Sequence, residues 1–558
     1  MSNGRKNSMQ RVSDSPRLLR LGAGASPARD KQWFCNPGSG AWPPPTIPGR
    51  IMMMNPDQNS DPLFDFADAD DYQRLRDLLA AAGFLDESVL EAIGINDLPD
   101  LASDHPLLLD RTAGGSALHT LIRLFLMEMP VEADTFAQAI RPMAADSWLQ
   151  AGLVRRHGSQ VTAALKLLPF RNLILAFDLP ALLQTPQRSR YVMGIGGSTI
   201  TLSQLTIRRH CRQTLDLGCG CGVHAFLAAP HSSRVAAVDL NPRAVRLAAF
   251  NARLNNISNV DCLEGDFFGP VAERQFDLII SNPPFVISPE SRFIYRDAGL
   301  EADSVCRRIA RQAPAFLTEG GFCQILCNWA EKDGGDWGQQ LAQWFGGSNC
   351  DVWVMRSESL SPAAYGSKWI RHTEFSDGET GFSQRFHQWL DYYERLGIAS
   401  FGAGLITMRR RSNGTNWFCA DESPERMIGP CGEDVARGFA LRDFLETVQE
   451  DAALLACRLR FSPDLRLEQQ FTPSAQGWQV SGSTIQLARG LAFQGNSDTF
   501  MANLMIHCDG KRTLQELLPD MAAALKADPA RLAPLVCQLI RKLVEQGFLL
   551  PAGQENES

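Results

Sequence analysis

An open α/β sheet flanked by smaller winged-helix-like α+β domains is the architecture this sequence predicts, and three observations predict it. Between residue 212 and roughly residue 411, short apolar strands alternate with amphipathic helices, the order expected of a parallel sheet covered on both faces. One of those strands, 214–217, runs straight into the glycine-rich turn Gly218-Cys219-Gly220-Cys221-Gly222. Outside that region the pattern changes, on the N-terminal side to a helical stripe followed by a hairpin and on the C-terminal side to a capped helix and an apolar stripe.

The chain of 558 residues is about four times a usual single-domain length, so two to four domains are expected. Hydrophobic residues make up 44% and charged residues 21%, which suffices for buried cores and excludes wholesale disorder. No apolar run reaches the ~18 residues of a membrane span, and this predicts a soluble, cytoplasmic protein with no membrane partner. The formal charge of -8 comes from 62 acidic against 54 basic side chains, while residues 188–411 carry 24 basic against 22 acidic ones. No chain-wide field draws in nucleic acid, although a local basic face stays open. The 14 cysteines form no C-x-x-C pair and no Cys/His cluster, which predicts free thiols in a reducing compartment and no metal site.

Taken in order, residues 1–55 are rich in Ser, Pro, Gly and Arg, and are expected to be a disordered extension or a stretch upstream of a true start at Met52, Met53 or Met54. A transit peptide is the third reading of the same Arg-rich composition. Within 56–185, Leu118, Leu121, Ile122, Phe125 and Leu126 mark one helical face. A helix over 148–153 closes at Gly152, and apolar runs flank the turn-like Arg155-Arg156-His157-Gly158-Ser159. Helices followed by such a hairpin predict a winged-helix-like domain, its three basic residues forming a solvated tip or, alternatively, a nucleic-acid contact. Residues 186–411 hold the sheet. From Asn413 the pattern is loose until 498–551, where Thr513 and Glu516 form a capping box and Leu532, Leu535, Val536, Leu539, Ile540 and Leu543 an apolar stripe ended by Gly547. Residues 412–558 are therefore expected to end in a second winged-helix-like module.

The glycine turn lets the backbone approach a ligand closely and places N–H groups at a helix start. Asp239, at the end of the next strand and twenty-one residues beyond Gly218, can accept both hydroxyl protons of a ribose. Together these features specify an adenosyl ligand. Asp216, just before the first glycine, suits a cationic amino-acid moiety and would repel a pyrophosphate, which favours S-adenosylmethionine over a dinucleotide. Asp266 can accept from the adenine amino group and Phe267 can pack on its ring. Cys219 and Cys221 are read as small fillers of a tight turn.

The tetrapeptide Asn282-Pro283-Pro284-Phe285 follows a buried strand that ends beside Asp216, at the sheet edge where open α/β folds bind ligands. A carboxamide or aromatic amino nitrogen is a poor nucleophile because its lone pair is delocalised. The Asn282 side-chain oxygen and the Pro283 carbonyl, each accepting one N–H, would aim that lone pair and stabilise the charge that grows on nitrogen. Pro283 and Pro284 stiffen the backbone, and Phe285 can stack on the flat acceptor.

In this order and spacing, the motif from Asp216 to Gly222, Asp239, Asp266 and Asn282-Pro283-Pro284-Phe285 resemble the class I S-adenosylmethionine-dependent methyltransferases of the "methyltransferase small domain" group. That group includes HemK-type protein-glutamine methyltransferases, which modify translation release factors, as well as rRNA guanine-N2 and N6-adenine-type enzymes. The resemblance covers about 200 residues. It implies a Rossmann-like seven-stranded sheet, S-adenosylmethionine as methyl donor and an sp² nitrogen as acceptor. Carried over, Asp216, Gly218, Cys219, Gly220 and Gly222 would hold the methionine end, Asp239 the ribose, Asp266 and Phe267 the adenine, and Asn282 with Pro283 the acceptor. Phe285 in place of the common tyrosine, and residues 412–558, depart from the HemK-type pattern.

Tyr295, Arg296 and Asp297 are expected in a loop able to close over the substrate, Gly194 to Thr199 in a cover or linker, and Asn328-Trp329 at the site or in the core. The expected partner is a macromolecular substrate: a protein, translation-factor-like, methylated on glutamine, or RNA or DNA methylated on an exocyclic base amine. A non-catalytic protein that senses the adenosyl ligand is the remaining alternative.

Overall fold

The computed structural model describes residues 64–94, 106–289, 303–373, 378–475 and 477–553. The expected extension over 1–55 lies outside them, as do Tyr295, Arg296 and Asp297. The described residues form two compact units. One reaches Arg437 and includes Arg489–Leu491; the other comprises Gly438–Ala488 and the chain from Ala492 onward.

The first unit is built on eight strands, β1 (Cys211–Leu217), β2 (Ser232–Asp239), β3 (Val260–Glu264), β4 (Phe276–Ser281), β5 (Leu317–Lys332), β6 (Cys350–Leu360), β7 (Ile398–Arg410) and β8 (Phe418–Glu422). Their order is β8-β6-β7-β5-β4-β1-β2-β3. β3, β2, β1, β4 and β5 pair in parallel, whereas β7 runs antiparallel to both β5 and β6. The sheet is therefore mixed, where the strand–helix alternation suggested a parallel one. β8 is an eighth strand beyond the seven implied by the resemblance, parallel to β6. Side chains anchor it: Trp353 donates to Asp421 (3.0 Å) and Arg356 to Glu422 (3.0 Å). Trp329 belongs to the core, nearly fully buried, donating to Glu331 (3.0 Å) and stacked 5.8 Å from Trp337.

Upstream, the predicted stripe forms the helix Ala117–Leu121 and a π-turn Ile122–Leu126, with Leu121, Ile122, Phe125 and Leu126 buried. The predicted hairpin pairs Val154–His157 with Gln160–Ala163 across Gly158, whose φ of 62° suits a glycine, and Val131–Glu132 adds a third strand.

Across 185/186 the chain stays within one compact unit, and a second hairpin, Lys166–Phe170 with Leu173–Phe177, is bonded to the helix Pro242–Leu254 that covers the sheet. Asn251, fully buried in that helix, accepts from the Ala176 N–H (2.8 Å) and donates to the carbonyls of Ala176 and Cys221 (both 2.9 Å). Asn255, which caps the helix, repeats the exchange with both backbone groups of Ile174 (2.8 Å each). Two carboxamides thus complete a strand edge that would otherwise need another strand. Buried Arg243 adds an ion pair with buried Asp178 (2.9 Å).

The second unit holds the predicted capping box, in which Glu516 N–H donates to Thr513 Oγ1 (3.2 Å) and Thr513 N–H to Glu516 Oε2 (2.7 Å). The helix Pro529–Glu545 buries Leu532, Val536, Ile540 and Leu543 but leaves Leu535 exposed. Where the sequence is loosely patterned, the chain forms the helix Gly432–Thr447 and a long hairpin of Leu465–Ser474 with Gly477–Leu487. The two units part inside that helix, between Arg437 and Gly438, and β8, beyond residue 411, still belongs to the sheet.

Replacing Asn251 by Ala strands three buried backbone groups, each worth about 1–3 kcal/mol when left unpaired. Urea titration of Asn251→Ala is expected to show a loss of about 3 kcal/mol or more, against less than about 1 kcal/mol for an exposed residue of the same helix such as Arg253.

Candidate functional site

β1 and β4 are buried at their carboxyl ends and tied together there, since Ser281 Oγ donates to the Leu217 carbonyl (2.8 Å). Beyond those ends opens a cavity of about 380 Å³, lined by the glycine turn, the end of β2, residues 265–267 and Asn282-Pro283-Pro284. The motifs on neighbouring strands therefore share one cavity.

The turn is held from behind. Val238 carbonyl accepts from the Gly218 and Cys219 N–H groups (2.8 and 3.0 Å), and Asp239 Oδ2 from the Gly220 N–H (2.8 Å). These N–H groups bond internally, so the turn meets a ligand through shape. A Cβ at Gly218 would touch nothing within 4 Å, which leaves open space in front of the backbone, whereas one at Gly222 would lie 2.5 Å from the Phe226 ring. All three glycines have positive φ, of 77°, 55° and 89°. Cys219 and Cys221 are buried free thiols; burial holds Cys219 well above the usual thiol range and pushes Cys221 up to about 12.

Asp239 lines the cavity while its oxygens accept from the Gly220 and Asn241 N–H groups (2.8 and 2.9 Å). Burial raises its carboxyl, against the pull of those donors. Each oxygen keeps a second acceptor site, as a ribose diol requires. Asp266 is exposed at the rim, paired with Arg308 (3.2 Å), whose guanidinium lies 3.8 Å above the Phe267 ring. Phe267 has φ of 48°, an unusual conformation for a bulky residue, and it lines the cavity wall.

Asn282 donates through Nδ2 to Ser198 Oγ (3.2 Å), and its Oδ1 is buried with no partner among the described residues. His224, the second residue of the helix Val223–Ala228, also lines the cavity with its Nε2 buried and unpartnered. Burial pushes its imidazole down to about 4, so it is neutral at physiological pH.

Two predicted residues stand elsewhere. Asp216 is outside the cavity lining and fully buried; its Oδ2 accepts from the Ala225 N–H (2.9 Å) and so braces the helix after the turn, while its Oδ1 has no partner among the described residues. Phe285 also leaves the lining and packs edge-on against Trp369, 6.0 Å between ring centres, because the aromatic cluster around Tyr365, Trp389 and Tyr393 offers it burial. The Gly194 to Thr199 segment does cover the cavity, through Gly194 and Thr199. His224 and Arg308 lie outside the residues the sequence points to; adjacency to the glycine turn is the available signal for His224, and none marks Arg308, 42 positions from Asp266, whereas Ser198 falls within the predicted Gly194 to Thr199 segment.

Residues 196–346 match the family described as Methyltransferase small domain, and residues 81–164 and 436–551 match two families described only as domains of unknown function. A ribosomal protein uL3 glutamine methyltransferase of Bradyrhizobium diazoefficiens is 38% identical over 128 residues, 20% of this chain and 40% of that protein. The release factor glutamine methyltransferase of Escherichia coli is 34% identical over 138 residues, 22% of this chain and 48% of its own. A tRNA1(Val) (adenine(37)-N6)-methyltransferase of Actinobacillus pleuropneumoniae is 35% identical over 139 residues, 24% and 59% respectively. The chain spans about half the length of the curated relatives it matches. Among solved structures, a methyltransferase from Pyrococcus furiosus aligns with a TM-score of 0.23 at 17% identity, over 38% of this chain and 82% of that one.

Burial lifts the Asp216 carboxyl to about 7, against its usual value near 4. The folded chain then keeps a proton that the unfolded chain has released, so this group's contribution to stability falls as pH rises from about 4 to about 7. Asp216→Asn retains an acceptor for Ala225 and removes that fall. In denaturant titrations of the ligand-free chain, the stability difference in favour of Asp216→Asn should widen across that interval and level off above it; a gap independent of pH would refute the assignment.

Proposed function

We propose that this protein is an S-adenosylmethionine-dependent N-methyltransferase that transfers a methyl group to a planar NH2, the side chain of a protein glutamine. The observation that carries the reading is the buried, unpartnered Oδ1 of Asn282 on the wall of a cavity that also holds a ribose-type carboxylate. A buried acceptor without a donor costs about 1–3 kcal/mol, and a ligand N–H arriving there relieves it.

S-adenosylmethionine supplies an electrophilic methyl group on a sulfonium. The turn 218–222 would hold it by close backbone approach, Asp239 by its ribose, and Asp266 with Phe267 on the adenine side. Asn282 Oδ1 accepts one N–H of the acceptor amide and the Pro283 carbonyl the other. Both acceptors would aim the nitrogen lone pair at the methyl group and stabilise the positive charge that develops as the N–C bond forms and the S–C bond breaks, the sulfonium leaving as a neutral thioether and one N–H proton passing to water. Pro283 and Pro284 fix the backbone that carries them. Asp216 acts through the turn, by keeping the helix after it in place.

Glutamine is favoured by the two relatives whose names specify glutamine methylation, and translation-factor-like proteins of the cytoplasm are the corresponding substrates. A second reading, methylation of an exocyclic base amine, is favoured by the tRNA adenine relative. The winged-helix-like modules proposed on either side, over 56–185 and within 412–558, would then recruit the macromolecule. Base methylation would show steep salt dependence, since phosphate contacts release counterions.

Incubation with tritiated S-adenosylmethionine and lysate, digested in parallel with RNase or protease, separates the two: label that survives RNase and not protease selects protein. Asn282→Ala should lower transfer by about 10²-fold or more while donor affinity by calorimetry stays within a few fold. Asp239→Ala should weaken donor binding itself by at least about tenfold, and unchanged affinity would remove the ribose assignment.

A further inference from the structure

A carboxamide has two ends of nearly equal size and opposite hydrogen-bonding sense. If Asn282 is to accept from an NH2, its oxygen has to face the cavity and its nitrogen has to be held elsewhere. The structure contains the group that holds it. Ser198 lies at the start of the helix Gly197–Leu205, which precedes the sheet, and its Oγ accepts from Asn282 Nδ2 at 3.2 Å across 84 positions of sequence. Ser198 is not among the residues lining the cavity, whereas its neighbour Thr199 and Asn282 are. The hydroxyl therefore sits behind the carboxamide and touches no ligand directly. Its own position is secured without it, because Thr199 Oγ1 accepts from the Gly196 N–H (3.3 Å) and closes the start of the helix.

We propose that Ser198 is a positioning residue, which aims the Asn282 carboxamide by holding its nitrogen so that the oxygen is the end presented to the acceptor. The proposal rests on the methyltransferase reading and adds to it a residue outside the glycine turn and the Asn-Pro-Pro-Phe motif. Without the serine, no other bond among the described residues holds the carboxamide nitrogen, and a flipped carboxamide would present an N–H to the N–H of the acceptor. A purely structural serine would affect folding or donor affinity; a positioning serine affects turnover.

The test uses the full-length chain with tritiated S-adenosylmethionine and a whole lysate, with label in protein and in RNA counted separately. Ser198→Ala is expected to lower the rate at saturating donor and acceptor about fivefold to tenfold, the effect of one hydrogen bond of ordinary strength. Donor affinity by calorimetry should stay within twofold, and Ser198→Thr, which keeps the hydroxyl, should restore most of the rate. The Asn282 side-chain NH2 resonances, assigned by their absence from Asn282→Ala, should move in Ser198→Ala and return in Ser198→Thr. A natural chain that labels protein, with Ser198→Ala equally fast and the resonances unmoved, overturns the positioning role and leaves the methyltransferase reading intact. Loss of donor affinity in Ser198→Ala in parallel with rate overturns it as well, in favour of a structural serine. A natural chain that binds no S-adenosylmethionine and labels neither protein nor RNA overturns the reading itself.

Discussion

At the carboxyl edge of this sheet, every polar group taken out of water has to find a partner, and the site is composed of the few that do not. The Gly218, Cys219 and Gly220 N–H groups are absorbed by Val238 and Asp239, and the Leu217 carbonyl accepts from Ser281. On the wall of the cavity Asn282 Oδ1 and His224 Nε2 are left, both buried and both without a partner among the described residues, and behind the turn Asp216 Oδ1 is a third. Each carries a desolvation cost that folding alone does not recover. The pair on the wall is tolerated where a ligand supplies the missing partners, which turns an energetic deficit of the empty site into selectivity for what fills it.

The chemistry that could be read along the chain is the part written locally. A tight turn demands glycines at consecutive special backbone angles, and a rigid acceptor demands prolines beside an asparagine, so both motifs announce themselves within a few residues. Their surroundings do not. Phe285 turns away from the cavity because Trp369 and the cluster about Tyr365 and Trp389, some eighty to a hundred positions later, bury it better than a solvent-filled mouth would. Asp216 faces Ala225 because the helix after the turn needs an acceptor at its first turn, a demand that competes with any ligand. Asn251 and Asn255 resemble the polar stripe of a surface helix, and only the neighbouring strand edge makes them inward pegs. The hairpin of Leu465–Ser474 and Gly477–Leu487 is exposed on both faces over most of its length, so no alternation of burial was there to be read.

Preorganisation is the step that links this architecture to chemistry. A catalytic acceptor that has to reorient during reaction gives back the stabilisation it provides, so the value of Asn282 depends on how firmly its segment is held. On one side, Ser281 is tied to Leu217 and the strand pairs with β1. On the other, the Ile287 N–H donates to Tyr365 Oη (3.1 Å) and the Ile287 carbonyl accepts from Tyr393 Oη (2.9 Å). Both tyrosines come from the helices Pro362–Thr373 and Gly378–Arg395, inserted between β6 and β7. Tyr365 is itself fixed by Asn328 Nδ2 (2.9 Å) from β5. The five residues between these anchors include two prolines, which leaves the backbone little freedom and concentrates the remaining motion in the side chain of Asn282. That side chain is held by a third element, the helix Gly197–Leu205, through Ser198. The sheet, the inserted helical pair and the helix before the sheet thus converge on one carboxamide, and the long-range aromatic burial that drew Phe285 out of the cavity is the same burial that keeps the acceptor motif rigid.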